Sequence, residues 1–227
     1  MATWFRGDCL EILRRIPDKS VTLILWDPPF GTTKHSWDEK LPFREIFTEC
    51  FRVLNDRGAL VIHASIPFNY TLIREAPRAP NYSWYWKKES PTNPFLANYQ
   101  PLRVIEEILV WRKKKSTYYR QNIGEEYQER HYAKDNAKGY YGHSLGGTKQ
   151  IKGKTRTHFL EMKRTIDGFS TRPVEMIELL IKSYTQEGDT ILDPTCYRGV
   201  SGVVAKRLGR RWIGIDKHFY PTALLDH

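Results

Sequence analysis

The run Val21-Thr22-Leu23-Ile24-Leu25-Trp26-Asp27-Pro28-Pro29-Phe30-Gly31 carries the clearest sign of architecture in the chain. Its first six residues are apolar or β-branched, with no polar alternation. That is the pattern of a strand covered on both faces, as in a parallel sheet. The strand stops abruptly at Asp27, where two prolines follow. Beyond it, Phe43, Ile46, Phe47, Cys50, Phe51 and Leu54 recur at helical spacing and predict a helix over 42–54. Asn55-Asp56-Arg57-Gly58 reads as its stop, and 59–63 as another buried strand. Residues 9–15 read as a short helix before the first strand. Residues 83–88 and 104–112 read as two strands, antiparallel neighbours, whereas 65–101 resists assignment. Pro173 suits a helix start, and Val174, Met176, Ile177, Leu180, Ile181 and Tyr184 form the stripe of the helix that follows. Residues 190–193, 200–208 and 211–216 then read as strand, helix and strand. The alternation predicts an α/β fold: a mostly parallel sheet with helices on both faces.

Residues 112–168 differ in kind. Lys and Arg outnumber Asp and Glu there by more than two to one, tyrosines and glycines are interleaved, and aliphatic residues are scarce. This stretch reads as a basic insertion outside the core, with 1–111 and 169–227 forming one domain around it. Lys113, Lys114, Lys115, Arg120, Arg130, Lys149, Lys152, Lys154, Arg156, Lys163 and Arg164 are its candidates for phosphate contacts. The net charge of +10 favours a polyanionic partner. The three cysteines Cys9, Cys50 and Cys196 have no metal-like or redox-like spacing and read as reduced thiols. No apolar run suits a membrane helix and no signal pattern opens the chain, so an intracellular protein, cytoplasmic or nucleoid-associated, is expected.

Two constellations carry chemistry. Asp27-Pro28-Pro29-Phe30 ends a buried strand, the edge at which open α/β sheets bind ligands. The carboxylate and a proline carbonyl offer acceptors, and Phe30 a flat ring. Such a pair of acceptors suits an exocyclic amine, a poor nucleophile until both its N–H groups are held. Further on, Asp193-Pro194 follows a strand, Gly199 and Gly202 open a helix, and Asp216 ends the next strand. An acid about 20 residues after the first turn of such a unit can accept ribose hydroxyls.

These blocks resemble the amino-methylating DNA methyltransferases in their circularly permuted β-type order. Gly7-Asp8-Cys9-Leu10, then Asp27-Pro28-Pro29-Phe30-Gly31-Thr32-Thr33 with Trp37-Asp38, is similar to the family's N-terminal part. Ser170-Thr171-Arg172-Pro173, Asp193-Pro194 with Gly199, and Leu208-Gly209-Arg210 are similar to its C-terminal block. The resemblance implies a Rossmann-like S-adenosylmethionine-dependent fold, with S-adenosylmethionine as cofactor and no metal. It implies that Asp27, Pro28, Pro29 and Phe30 are catalytic. It also implies that Asp8, Cys9, Ser170, Arg172, Asp193, Pro194, Gly199 and Asp216 bind the cofactor: Asp193 and Gly199 its methionine part, Asp216 its ribose, Asp8 and Cys9 its adenine, Arg172 its carboxylate. Asp at the first position favours adenine N6; cytosine N4 is the rival, and RNA is less favoured. Double-stranded DNA is the implied partner, and a homodimer and a cognate restriction endonuclease stay open. One departure stands out. Where the family has Phe-x-Gly-x-Gly, this chain has Thr195-Cys196-Tyr197-Arg198-Gly199, with Tyr197 in place of the first glycine. Weakened cofactor binding is the expectation, and a non-catalytic DNA-binding homologue is the alternative.

Overall fold

The computed structural model describes residues 2–31, 38–92, 94–134, 145–163 and 172–218. The main sheet has eight strands. In chain order they are β1 (Ala2–Arg6), β2 (Val21–Trp26), β3 (Leu54–Ala64), β4 (Tyr82–Thr92), β5 (Arg103–Arg112), β8 (Phe159–Glu161), β9 (Thr190–Asp193) and β10 (Arg211–Asp216). Their spatial order is β1-β10-β9-β2-β3-β5-β4-β8. The first five neighbours run parallel, β5 is antiparallel to both β3 and β4, and β8 is parallel to β4. The helices are α1 (Cys9–Leu13), α2 (Phe43–Val53), α3 (Phe68–Glu75), α4 (Val174–Tyr184) and α5 (Val200–Arg207).

The absence of polar alternation in β2 has a direct cause. Ile24 and Trp26 pack into one core with residues of α1, α2 and α3, such as Leu13, Phe47 and Leu72. Leu23 and Leu25 face the opposite core, with Met176, Leu180 and Val204 of α4 and α5. Helices therefore cover both faces, as the strand-and-helix alternation implied.

The stretch Asn55–Gly58 is part of β3 rather than a turn; the register with β2 shifts between Val21 and Leu23, which accommodates these polar residues. Strand β1 and helix α3 were not anticipated. β1 is an edge strand whose side chains are mostly exposed, so it carries no apolar signature.

The second compact unit is Arg120–Thr157. It is built on an antiparallel ladder of β6 (Asn122–Lys134) and β7 (Leu145–Thr155), with a register shift between Ile123 and Tyr127. This unit lies within the stretch 112–168 that composition sets apart, and β8, in the same stretch, pairs with β4 in the main sheet. No helix among the described residues is long and apolar enough to cross a membrane.

Close packing of β10 against α5 depends on two glycines. A Cβ on Gly202 would stand 2.7 Å from the Trp212 ring, and one on Gly214 2.0 Å from it. Trp212 cannot easily yield: it is buried, and its Nε1 donates to Ser201 Oγ at 3.1 Å. Gly202→Ala is therefore expected to cost about 1–3 kcal/mol through overpacking. Chemical denaturation would read this as a lower midpoint at unchanged slope.

Candidate active site

Parallel pairing of Leu23 with Ile191 and Ile24 with Leu192 puts the C-terminal ends of β2 and β9 side by side. Asp27 follows the first and Pro194 the second. Thr195 binds the two loops together: its Oγ1 accepts Trp26 Nε1–H at 2.9 Å and donates to the Asp27 carbonyl at 3.2 Å. A cavity of about 690 Å³ opens above this edge. It is lined by Asp27, Pro28, Pro29 and Phe30 from one block, and by Pro194, Thr195, Tyr197 and Asp216 from the other, with Gly7, Cys9 and Arg172 also on its wall. The volume is that of a small-molecule or cofactor site.

Each carboxylate is held differently. Asp27 is exposed to the cavity, and its Oδ1 accepts from Arg172 Nη2 at 2.9 Å. The same guanidinium lies over the Trp86 ring, and its Nη1 is 2.8 Å from Glu106 Oε2. Glu106 in turn pairs through Oε1 with Lys88 Nζ at 2.8 Å, and both of these side chains are almost fully buried. Asp216 accepts two backbone N–H groups, Tyr197 N on Oδ2 and His218 N on Oδ1, each at 2.7 Å. Asp193 does not line the cavity. It is buried beneath it, where Oδ2 accepts from Ser201 Oγ at 2.5 Å and Oδ1 from Thr195 N at 3.4 Å.

The other expected residues are distributed as follows. Gly199 is the N-cap of α5, with a φ of 71° that favours glycine, and it is set back from the cavity wall. Asp8 caps α1 by accepting from Leu10 N and Glu11 N, and its Oδ2 lies 3.4 Å from Lys217 Nζ. Phe30 stacks on Phe68, with centroids 4.5 Å apart and planes 22° apart. Gly31 N donates to Asp38 Oδ1 at 2.7 Å, which pins the turn after the prolines. Ser170 and Thr171, like Thr32, Thr33 and Trp37, lie outside the described residues. Tyr197 has a φ of 47°, left-handed backbone that a side chain strains, and its ring is stacked near the Arg198 guanidinium at 5.5 Å.

Lys88, Glu106, Trp86 and Thr195 were missed from sequence. A signal existed for the first two. In β4, Trp84, Trp86 and Lys88 share one face; in β5, Glu106, Ile108 and Val110 do. Charges on otherwise apolar inward faces mark a pair or a site. His63 sits beside Ile108 across the strands, buried and without a hydrogen-bond partner on Nδ1. Burial pushes its pKa down to about 3, Arg172 adds to the fall and Glu106 opposes it.

Burial raises the Asp193 carboxyl to about 7 against the donation from Ser201 and Thr195, with Asp27 and Asp216 adding repulsion. The folded value lies above the ordinary 3.8. Its contribution to stability is therefore fully present below that value and is lost as pH rises through about 7. Asp193→Asn removes this titration. The variant should gain on the wild type by roughly 3–4 kcal/mol between pH 4 and pH 7.5. Comparing the two proteins at each pH cancels His63, whose lowered pKa acts in the opposite sense. Denaturant midpoints that stay parallel across this range would contradict it.

Residues 21–221 match the model of a DNA methylase family, the N6 and N4 methylases. The type II methyltransferase M.BamHI of Bacillus amyloliquefaciens is 27% identical over 234 residues, covering 93% of this chain and 53% of that protein. M.HinfI of Haemophilus influenzae is 27% identical over 253 residues, covering 95% and 64%. The chain thus spans between about half and just under two-thirds of the length of these curated relatives. Among solved structures, the M1.HpyAVI–SAM complex superposes with a TM-score of 0.63 at 21% identity, covering 96% of this chain and 94% of that one. PvuII DNA methyltransferase, a cytosine-N4-specific enzyme, gives 0.66 at 17% identity, covering 98% and 83%. The family match extends over most of the chain and takes in both the Asp27 and the Asp193 blocks: this protein belongs to the N6/N4 DNA methylase family.

Proposed function

We propose that the chain is an S-adenosylmethionine-dependent DNA methyltransferase acting on an exocyclic base amine, adenine N6 in preference to cytosine N4. One observation carries the reading: a single cavity is walled by Asp27-Pro28-Pro29-Phe30 on one side and by Pro194 and Asp216 on the other. Two chemically distinct sets of residues, far apart in sequence, face the same space.

The residues present fit the cofactor. Asp216 has both oxygens anchored by backbone N–H groups, which fixes the carboxylate while leaving lone pairs for two adjacent hydroxyls. Gly7, whose N–H donates to the Asp216 carbonyl at 3.0 Å, and Cys9 supply the wall beside it. When bound, the sulfonium supplies an activated methyl group whose transfer needs no covalent enzyme intermediate. The chain's own work is then positional and electrostatic.

Asp27 Oδ1 is already bound by Arg172, so Oδ2 is the acceptor for one N–H of the target amine. The carbonyl of Pro28 or Pro29 accepts the other. With both hydrogens held, the nitrogen pyramidalises and its lone pair turns from the ring toward the methyl donor. The proton shed after transfer leaves from the N–H directed at Asp27 Oδ2. Phe30, backed by Phe68, offers its other face to the base, which must leave the duplex to reach the cavity. The basic insertion, at 112–168 by its composition, supplies the cations for the DNA backbone. Asp27 as the acid of the tetrapeptide supports adenine over cytosine.

Tyr197 is the observation that favours a second reading, a DNA-binding protein that no longer methylates. It lines the cavity in strained backbone where the family carries glycine. Incubation of the chain with labelled S-adenosylmethionine and mixed-sequence DNA, followed by nucleoside analysis, tests both readings. N6-methyladenine is expected in the product. N4-methylcytosine would reverse the base preference, and no label would leave the non-catalytic reading. Asp27→Ala should lower transfer on the order of 10²- to 10³-fold while cofactor affinity holds.

A further inference from the structure

Among the described residues, a buried ion pair lies close to the proposed catalytic carboxylate. Lys88 and Glu106 face each other at 2.8 Å with side chains only 3% and 10% exposed. Taking two ions out of water costs more than their attraction usually returns, so a buried pair is poor value as a stabilising device. Well-packed apolar residues would serve a core better. The pair makes sense through what it touches. Glu106 uses one oxygen for Lys88 and presents the other to Arg172 Nη1 at 2.8 Å. Arg172 lies over Trp86, which is itself fixed by donating Nε1–H to the Met162 carbonyl at 2.9 Å. The remaining arm of the guanidinium, Nη2, reaches Asp27 Oδ1 at 2.9 Å.

The chain of contacts Lys88–Glu106–Arg172–Asp27 alternates in charge and crosses β4, β5, the start of α4 and the end of β2. We infer that Arg172 is a positioning residue for Asp27, set in place by the buried Lys88–Glu106 pair, and is not the anchor of the cofactor carboxylate. A guanidinium is a rigid planar fork. With Nη1 in ion-pair contact with Glu106 and the guanidinium over Trp86, the direction of Nη2 is restricted, and so is the side-chain orientation of Asp27. That leaves Oδ2 facing the amine. The assignment rests on the proposed methyl transfer for its consequence, though not for its geometry.

The test uses the full chain in three variants: Arg172→Gln, Arg172→Lys, and Lys88→Met combined with Glu106→Gln. The double variant removes both buried charges together and so leaves no unpaired ion to unfold the core. Isothermal titration with S-adenosylmethionine should give affinities within about twofold of wild type in all three, well short of the tenfold that 1.4 kcal/mol represents. Single-turnover transfer at saturating cofactor should fall on the order of a hundredfold for Arg172→Gln, the scale of a misplaced reacting group. Arg172→Lys should recover part of that loss, since an ammonium can still meet Asp27 but cannot fork. The double variant should lose about tenfold or more. A cofactor affinity weakened about tenfold or more in Arg172→Gln, with the saturated rate unchanged, would overturn the assignment. If the wild type transfers no methyl group, the enzymatic reading fails on its own, and crystal structures of wild type and double variant decide the positioning claim. A reoriented Asp27 side chain in the double variant supports it; an unchanged Arg172–Asp27 bond overturns it.

Discussion

The structure depends on the parallel pairing of β2 with β9. Two ladder contacts, Leu23 with Ile191 and Ile24 with Leu192, join segments nearly 170 residues apart in sequence. Side chains on either side of that seam feed the two cores, which makes its register costly to change: a slip of one residue would exchange Ile24 and Trp26 with Leu23 and Leu25 between opposite faces. Because the register is held by burial, the two loops leaving the seam are held too. Asp27 and Pro194 emerge side by side, and Thr195 bonds across them.

Around the seam, burial and electrostatics divide the carboxylates into kinds. Asp27 faces the cavity and has a cation on one oxygen. Asp216 is clasped by backbone N–H groups at the cavity's other end. Asp193, raised by desolvation, lies under the floor and ties the β9 loop to α5 through Ser201. Three acids at neighbouring strand ends thus have three environments. The one expected to hold the cofactor's methionine part is instead directed toward the protein interior.

Much of this was legible in sequence because each legible part is local. An apolar run without alternation means a strand covered on both faces, and Val21–Trp26 is one. A proline followed by an apolar stripe means a helix, and α4 begins after Pro173. Asp27 and Asp216 line one cavity because each stands at the C-terminal end of its strand, β2 and β10. The parts that were not legible are those set by distant partners. Arg172 sits in a motif that suggested a cofactor contact; its pairing with Asp27 and Glu106 depends on how β4 and β5 dock. The ladder β6–β7 has too few apolar residues to show a strand period, and α3 begins with Phe68-Asn69-Tyr70, which carries no clear stripe. Tyr197 was visible as a departure from glycine, but only its backbone angle shows that it keeps the left-handed conformation that glycine would take.

In the proposed reaction one cavity holds both the methyl donor and the Asp27 carboxylate. A crystal structure of the chain with S-adenosylmethionine tests this. The expected result has the ribose hydroxyls on Asp216 and the sulfonium methyl turned toward Asp27, close enough for one amino nitrogen to touch both. A cofactor bound elsewhere, or bound in the cavity with its methyl group directed away from the Asp27-Pro28-Pro29-Phe30 wall, would contradict it.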